Sequence, residues 1–335
     1  MATVDIIVPL YNKENTVERT IRSIQNQTFS DWTLIIVDDG STDEGHDRVR
    51  HLNDGRIKLI EQDNRGPGPA RNRGIEEATA EYVAFLDADD EWYPWYLENS
   101  IAAIKNEDIA FVGSMYYEWP KQIDMTKYWE KRGVREGFYE VNEATLPEQI
   151  ESWALFFHVG TTVVKRAIAL QYEGFYDDDY CSYGEDTIFF AKLVLNERFR
   201  IITPAAVRHN RQDSGLSTTH AHPIIPILLT PEILLKYCPP RKKTQARLFL
   251  SKLALRTAHH KARNGFKSDA QFLVNNFPEM SSFRFEYFRC CVEISLSRWL
   301  PYWVAFKKTI GPPTRIFLKK AAYRFGLLKE PPTIS

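Results

Sequence analysis

Residues 82–90 read YVAFLDADD, a short apolar run followed at once by an acidic cluster. An apolar run of this length predicts a buried strand. The carboxylates then lie together at its carboxyl end, where open α/β sheets bind their ligands. Asp87 and Asp89 are close enough to share one hard cation, magnesium or manganese, with phosphate oxygens. The alternative is that these residues only cap a helix predicted over 93–105.

Strands and helices alternate on the N-terminal side of this stretch. Apolar periodicity predicts strands over 4–9, 32–37 and 57–60, and helices over 14–27 and from 70 onward. Strands joined by helices form parallel sheets, so the loops after these strands meet on one rim. A glycine-rich loop follows the third strand, but Arg71 stands where a dinucleotide-binding fingerprint needs its third glycine. That cofactor class is therefore excluded.

Four motifs stand at these predicted strand ends, in order along the chain. They are Ile7-Val8-Pro9-Leu10-Tyr11-Asn12, Val37-Asp38-Asp39-Gly40-Ser41-Thr42-Asp43, Ala70-Arg71-Asn72-x-Gly74 and Phe85-Leu86-Asp87-Ala88-Asp89-Asp90. Together they resemble the motifs of family 2 glycosyltransferases over residues 3–218. The resemblance implies the GT-A fold, an α/β architecture with a Rossmann-like nucleotide-binding mixed sheet flanked by helices. It also implies an inverting transferase that uses a UDP-sugar.

The resemblance implies a nucleotide site with eight members. They are Pro9, Tyr11, Asp39, Asn64, Gly66, Arg71, Asp87 and Ala88. Tyr11 would stack on uracil, and Asp39 would accept the pyrimidine ring N–H. Arg71 would direct its planar guanidinium toward the base or diphosphate. Asp89 would be the direct metal ligand. Asp87 would contact the metal, the ribose or the donor sugar. Two ordinary alternatives remain, since Asp39 also suits an Asx turn and Arg71 a surface charge.

A second acidic pair, Glu185-Asp186, precedes a predicted helix. The resemblance implies that this pair is catalytic, with Asp186 as the general base for the acceptor hydroxyl. Acidic residues at a helix N-terminus also occur simply because they compensate the helix dipole. Residues 177–179 form a further acidic stretch, for which a solvated loop is the simplest interpretation.

A strand is predicted over 200–203. The basic, serine-rich segment at 207–217 that follows it resembles the family's closing segment over the donor diphosphate. By this resemblance, Arg208 and Arg211 are candidates to neutralise the leaving group, and Ser214 and Ser217 to donate hydrogen bonds to it. Relatives often carry a histidine near residue 212. Here the histidine is His209, and this shift weighs against a histidine metal ligand.

The composition is that of an intracellular enzyme with more than one part. The 335 residues, 44% hydrophobic and 26% charged, suffice for a full α/β core and an extra module. The four cysteines form no zinc spacing, and two are adjacent, which favours a reducing, cytoplasmic compartment. We expect a catalytic domain over 1–225, with a nucleotide half to about 115 and an acceptor half from 116. A helical region over 226–335 follows.

Charge divides the chain near residue 240. From Arg241 onward there are 19 Lys and Arg against 5 Asp and Glu, whereas residues 1–240 carry 24 against 39. The aromatic stretch 283–306 is too charged to span a bilayer. Two interpretations fit this tail: it lies on an anionic membrane surface at the inner face, or it packs as a homo-oligomer interface or against the catalytic domain. No nucleic-acid module accompanies the charge.

These observations predict a metal-dependent, hexosyl-type glycosyltransferase. The expected reaction moves a sugar from a UDP-sugar to a hydroxyl of a glycan or lipid-linked saccharide, in the synthesis of cell-surface polysaccharide or lipopolysaccharide. Magnesium or manganese is the expected cofactor. The alternatives are a sugar nucleotidyltransferase and a non-catalytic subunit that binds sugar nucleotides or glycans. The pair at 185–186 disfavours the first, and the acidic residues Asp87, Asp89 and Asp186 disfavour the second.

Overall fold

The computed structural model describes residues 2–105, 107–178, 181, 183–213 and 223–296. Two compact units are present. Of the described residues, the first holds those up to 254 together with 277–280, and the second holds 255–276 and 281–296. The predicted division of the chain at residue 225, and of its catalytic part near 115, remains a prediction.

One mixed sheet is the framework of the first unit. Within the described residues its strands are β1 (Val4–Leu10), β2 (Trp32–Asp38), β3 (Ile57–Glu61), β4 (Tyr82–Phe85), β5 (Glu91–Trp92), β6 (Phe111–Trp119), β7 (Ile123–Asp124), β8 (Gly137–Tyr139), β9 (Thr162–Lys165) and β10 (Phe199–Asn210). The order is β3-β2-β1-β4-β9-β6-β10-β5, with β7 paired to β6 and β8 to β10. Strands β1 to β4 are parallel, whereas β9 is antiparallel to both β4 and β6.

The described residues of the two units also form thirteen α-helices. They are α1 (Val17–Gln25), α2 (Gly45–Arg50), α3 (Pro67–Glu77), α4 (Tyr96–Ile104), α5 (Thr126–Glu130), α6 (Pro147–Phe156), α7 (Arg166–Gln171), α8 (Glu185–Asn196), α9 (Pro226–Leu229), α10 (Glu232–Leu235), α11 (Lys243–Arg263), α12 (Lys267–Asn276) and α13 (Arg284–Leu296). Among these described helices, none combines the length and the apolar character needed to cross a lipid bilayer.

The central strands are buried because their sequences are apolar on both faces. Ile7 of β1 pairs in register with Ile35 of β2 and with Phe85 of β4. Since all three strands are parallel, their carboxyl ends reach the same rim of the sheet. The ring of Phe85 meets those of Phe175 and Phe189 edge-on, with centroids 5.0 and 6.0 Å away. We expect truncation of such a buried ring to alanine to cost ~3–5 kcal/mol of stability.

The predicted mixed α/β fold with C-terminal helices is confirmed. The strand predicted at 200–203 is wrong in length, because β10 continues to Asn210. It does so by pairing with β6, past an irregularity between Ile202 and Val207. Arg208 and His209 were expected in the closing segment that follows this strand. They are strand residues instead, so their side chains point to opposite faces of the sheet.

The second unit has an ionic centre of its own around Glu293. This carboxylate is 8% exposed. It accepts hydrogen bonds from His259 Nδ1 at 2.6 Å and from the Nε atoms of Arg263 and Arg289, both at 3.1 Å. Burial opposes the charge of Glu293, but these cationic neighbours lower its pKa. The cluster therefore ties α13 to the helix segment that carries His259.

Candidate active site

The loop after β4 is held by side chains from α1 and from the residue before it. The hydroxyls of Thr16 and Thr20 and the guanidinium of Arg19 each donate a 2.8 Å hydrogen bond to a carbonyl of residues 88–90. Donors three and four residues apart lie on one side of a helix, so one face of α1 reaches three consecutive carbonyls. This fixes the backbone that carries the acidic cluster.

Three carboxylates converge on this loop. Asp87, Asp89 and Asp90 each bring an oxygen atom to within 4.8 Å of the other two. Burial, followed by the charges of Asp87 and Asp90, raises the pKa of Asp89 to about 6, against an opposing effect of Lys13. Crowded carboxylate oxygens of this kind are the ligands that magnesium and manganese prefer. The residues present therefore fit a hard divalent cation.

Asp90 has a separate task within the cluster. Its two oxygens accept from His209 Nδ1 at 2.9 Å and from the backbone N–H of Asn210 at 2.7 Å. The side-chain amide of Asn210 in turn donates to the carbonyl of Asp89 at 2.7 Å. These bonds fasten the end of β10 to the acidic loop. Asp87 and Asp89 are thus the members better placed to bind a metal ion.

Arg71 connects the two acidic regions that the sequence predicted. Its Nη2 donates to Asp87 Oδ1 and its Nη1 to Glu185 Oε1, both at 2.8 Å. Burial disfavours the charge of Arg71, but the two carboxylates outweigh it and raise its pKa. The family resemblance implies that the Arg71 guanidinium contacts the base or diphosphate. In this structure it is bound by two carboxylates of the protein itself. Glu185 and Asp87 are held in a fixed relation by this bridge.

Asp186 follows at the first turn of α8. Burial, followed by the neighbouring charge of Glu185, raises its pKa to about 7. Its Oδ1 accepts from the backbone N–H of Thr187 at 2.6 Å. A carboxylate whose pKa lies near neutrality suits general-base catalysis, because it is available as a base and still accepts a proton.

Asp39 organises the glycine-rich loop before α3. Its Oδ1 accepts from Gln62 Nε2 at 2.8 Å and from the N–H of Arg65 at 2.9 Å, and its Oδ2 from the N–H of Gly66 at 2.8 Å. A carboxylate has about four acceptor positions, so about one remains for a ligand N–H. Gly66 has φ of 95°, in the region that glycine alone enters readily.

The remaining predicted nucleotide residues lie on the same rim. Pro9 is next to Val37 in the pairing of β1 with β2. Tyr11 follows directly after β1 and is 46% exposed, so its ring is accessible to a planar ligand. Asn64 lies near the turn at Gly40, where a Cβ atom would come within 3.0 Å of the Asn64 nitrogen. The structure thus brings together the ends of β1, β2 and β4.

The profile of the family described as "Glycosyl transferase family 2" matches residues 5–169. That range contains all four motifs and the ends of β1, β2 and β4 that form the rim. The chain belongs to glycosyltransferase family 2.

Curated proteins with similar sequences share part of this region. The UDP-Glc:alpha-D-GlcNAc-diphosphoundecaprenol beta-1,3-glucosyltransferase WfgD of Escherichia coli is 37% identical over 114 residues, which is 34% of this chain and 45% of WfgD. The uncharacterized glycosyltransferase YibD of E. coli K12 is 40% identical over 106 residues, 31% of each protein. The chain therefore spans less than half the length of these relatives.

Solved structures share the fold of the described residues. S. aureus TarS 1–349 in complex with UDP-GlcNAc superposes with a TM-score of 0.66 at 18% identity, covering 98% of this chain and 93% of TarS. The mannosyltransferase PcManGT from Pyrobaculum calidifontis in complex with GDP-Man and Mn2+ gives a TM-score of 0.52 at 18% identity, covering 98% and 81%. The fold of this family 2 chain is therefore the GT-A fold.

The two arginines of the predicted closing segment of this family 2 protein have different partners. Arg208 has its guanidinium 3.8 Å from the ring centroid of Trp119 and 3.5 Å from Glu91. Arg211 pairs instead with Glu118 at 3.3 Å. The structure does not bring Arg208 to the carboxylates of the acidic loop. Ser214 and Ser217 lie outside the described residues.

A pair of histidines, which the sequence patterns did not single out together, lies beside the acidic loop. The rings of His158 and His209 are 5.4 Å apart, and Tyr116 meets His158 edge-on at 4.6 Å. Burial lowers the pKa of His158 to about 3. Burial also opposes the charge of His209, but Asp90 raises its pKa above the ordinary value. The two buried environments therefore shift the pKa values of these histidines in opposite directions.

Lys13 and Asp213 were also not identified as site residues from the sequence. Lys13 Nζ is 2.5 Å from Asp89 Oδ2 and 2.9 Å from the carbonyl oxygen of Asp213. Arg19 Nη2 is 2.5 Å from Asp213 Oδ2. Lys13 directly follows the first family motif, and this position along the chain could have identified it as a candidate site residue. The contact with Asp213 joins positions 200 residues apart and has no local signal.

Proposed function

We propose that this chain transfers a sugar from a UDP-sugar to a hydroxyl group of a lipid-linked saccharide or related glycan. One observation carries the proposal. The half-buried Asp186, whose pKa is raised to about 7, is joined through Glu185 and Arg71 to Asp87 of the acidic cluster. A proton acceptor and a candidate diphosphate site are thus parts of one connected constellation.

Four findings support a UDP-sugar as donor. Tyr11 is exposed for stacking, and Asp39 retains acceptor capacity for a pyrimidine N–H. WfgD is named for the use of UDP-Glc, and the TarS structure holds UDP-GlcNAc. The name of WfgD also includes a diphosphoundecaprenol-linked GlcNAc, which supports a lipid-linked saccharide as the acceptor class.

Asp87 and Asp89 are the residues that would hold a divalent cation. The solved PcManGT complex contains Mn2+, and the oxygen-rich acidic loop of this chain fits the same type of ion. Such an ion supplies Lewis-acid stabilisation of the departing diphosphate. The chain's own contribution is to keep the acidic loop rigid through Thr16, Arg19 and Thr20.

The chemical step follows from the position of Asp186. Its carboxylate takes the proton of the acceptor hydroxyl, and the hydroxyl oxygen forms a bond to the anomeric carbon of the donor sugar. The bond between that carbon and the phosphate oxygen breaks, and UDP departs with the bonding electrons. A single displacement of this kind inverts the anomeric centre. Glu185 is bound to Arg71, so Asp186 is the better placed base.

We extend the proposal to the site of action. The described residues from 241 to 296 contain 11 Lys and Arg against 4 Asp and Glu. Basic residues near an anionic leaflet contribute about 1 kcal/mol each within a Debye length. An enzyme of this kind works at the inner face of a membrane, next to a lipid-linked acceptor. Sedimentation with anionic vesicles at low salt, and release at high salt, is the expected result; equal binding to neutral vesicles would contradict it.

The reaction is tested with a synthetic lipid carrying α-GlcNAc-diphosphate, manganese, and UDP-glucose or UDP-GlcNAc in turn. We expect one UDP released per glycoside formed, and nuclear magnetic resonance should show an inverted anomeric centre. GDP-glucose serves as the control donor. Transfer from the GDP-sugar but not from any UDP-sugar would contradict the donor class, and a product with retained configuration would contradict the single displacement.

A further inference from the structure

Lys13 is a second cationic partner of the acidic loop, and it comes from the turn between β1 and α1. Its Nζ is 2.5 Å from Asp89 Oδ2, and the lysine side chain is 26% exposed while that of Asp89 is 10% exposed. This carboxylate is the one assigned above to a divalent ion. An ammonium group and a metal ion cannot both bind the same oxygen at short distance, because their charges repel strongly in a partly buried site.

We propose that Lys13 is a donor-site residue that exchanges partners, binding Asp89 until a divalent ion takes that carboxylate and binding the donor's diphosphate afterwards. The inference rests on the proposed function, because it uses the metal role of Asp89. It goes further by naming a residue that links the binding of metal to the binding of nucleotide.

The position of Lys13 supports the second half of this exchange. It lies two residues after Tyr11, the proposed base-stacking residue, on the rim formed by the ends of β1, β2 and β4. A diphosphate held at Asp87 and Asp89 brings several negative oxygens to this rim. A displaced ammonium group, still attached to the turn, finds them as its next anionic partners. A flexible lysine suits such a move better than arginine, whose planar group is fixed by paired bonds.

The same exchange breaks the other bond of Lys13. Its Nζ also donates to the carbonyl of Asp213 at 2.9 Å. Arg19 holds the carboxylate of Asp213 at 2.5 Å and the carbonyl of Asp89 at 2.8 Å. Asp213 therefore keeps one anchor when Lys13 leaves. This arrangement lets Lys13 move without releasing the acidic loop.

The proposal predicts that Lys13→Met changes the affinities for manganese and for UDP in opposite directions. In Lys13→Met, the competitor for Asp89 is gone, so manganese should bind more tightly without nucleotide, by about tenfold if one charged hydrogen bond is lost. At saturating manganese the same variant should bind UDP about tenfold more weakly, since the phosphates lose a cationic partner. A lysine with a purely structural role would not tighten manganese binding.

The test measures manganese binding by electron paramagnetic resonance and UDP binding by calorimetry on the full chain. Lys58→Met is the matched control, because Lys58 makes an ion pair of the same 2.5 Å length with Glu77 at the surface. Unchanged or weaker manganese affinity in Lys13→Met would overturn the competition. Unchanged UDP affinity at saturating manganese would overturn the exchange. A wild-type chain that binds no manganese even with UDP would instead overturn the metal assignment itself.

Discussion

The strand-end cluster at 87–90 and the helix-start pair at 185–186 are both buried acidic regions, but they are prepared for different partners. Burial is the main cause that raises the pKa of Asp89 to about 6 and that of Asp186 to about 7. Asp89 contacts the ammonium of Lys13, whereas Asp186 is held by the backbone N–H of Thr187. A carboxylate that already binds a cation suits a metal ion, and one held by neutral donors suits a proton.

Removal of the cation ligand should have the largest effect. Asp89→Ala should abolish manganese-dependent UDP binding and transfer while the protein stays folded, because the side chain lies at a loop and not in the apolar core. Calorimetry with and without manganese measures the loss. Asp47→Ala, which changes an exposed aspartate on α2, is the control. Wild-type activity of Asp89→Ala at saturating metal would remove Asp89 from the metal site.

Loss of the bridge between the two regions should affect both of them. Arg71→Met leaves Asp87 and Glu185 without their shared partner, and breaking a buried ion pair from one side typically costs ~3–5 kcal/mol. Urea unfolding measures this cost, and transfer should fall in the same variant. Adding Glu185→Gln should recover part of the stability, since one uncompensated charge is removed. No recovery would show that the bridge is not the source of the loss.

The pH dependence of transfer should report Asp186. Its base form predominates above about pH 7, so the rate should rise up to that pH and then level off. The protonation of Asp186 affects stability with the opposite dependence on pH. The folded pKa exceeds the unfolded value of about 3.9, so this carboxyl favours folding most below pH 4, and the benefit is lost as the pH rises through 7. A transfer profile that is flat from pH 5 to 8 would contradict the assignment.

The smallest effect is expected at Arg208. Its guanidinium lies over Trp119, and such a contact contributes about 0.5–1 kcal/mol at exposed sites. Arg208→Ala should therefore lower stability slightly and leave UDP affinity unchanged. Arg211→Ala, at the first residue after β10, is the comparison variant. A loss of UDP affinity in Arg208→Ala as large as that in Asp89→Ala would restore its predicted role at the diphosphate.

The two regions also differ in how far sequence predicts them. Asp87 and Asp89 could be found because a buried strand and its acidic end are adjacent in the chain. The bridge of Arg71 to Glu185 joins residues 114 positions apart, and that of Lys13 to Asp213 joins residues 200 apart. Periodicity reports neighbours along an element and not such pairings. Arg208 was misplaced for a similar reason, since pairing with β6 extends β10 beyond its apolar core.

Asp186→Asn tests the central claim most directly, because it removes the proposed base and keeps the shape of the side chain. Transfer to the lipid-linked acceptor and binding of UDP are measured on the same preparation, with Asp47→Asn, at an exposed position of α2, as control. We predict that transfer falls by ~10²-fold or more while UDP affinity stays within about twofold of wild type. Transfer near the wild-type rate in Asp186→Asn would contradict the account and move the base to Glu185 or to the acidic stretch at 177–179.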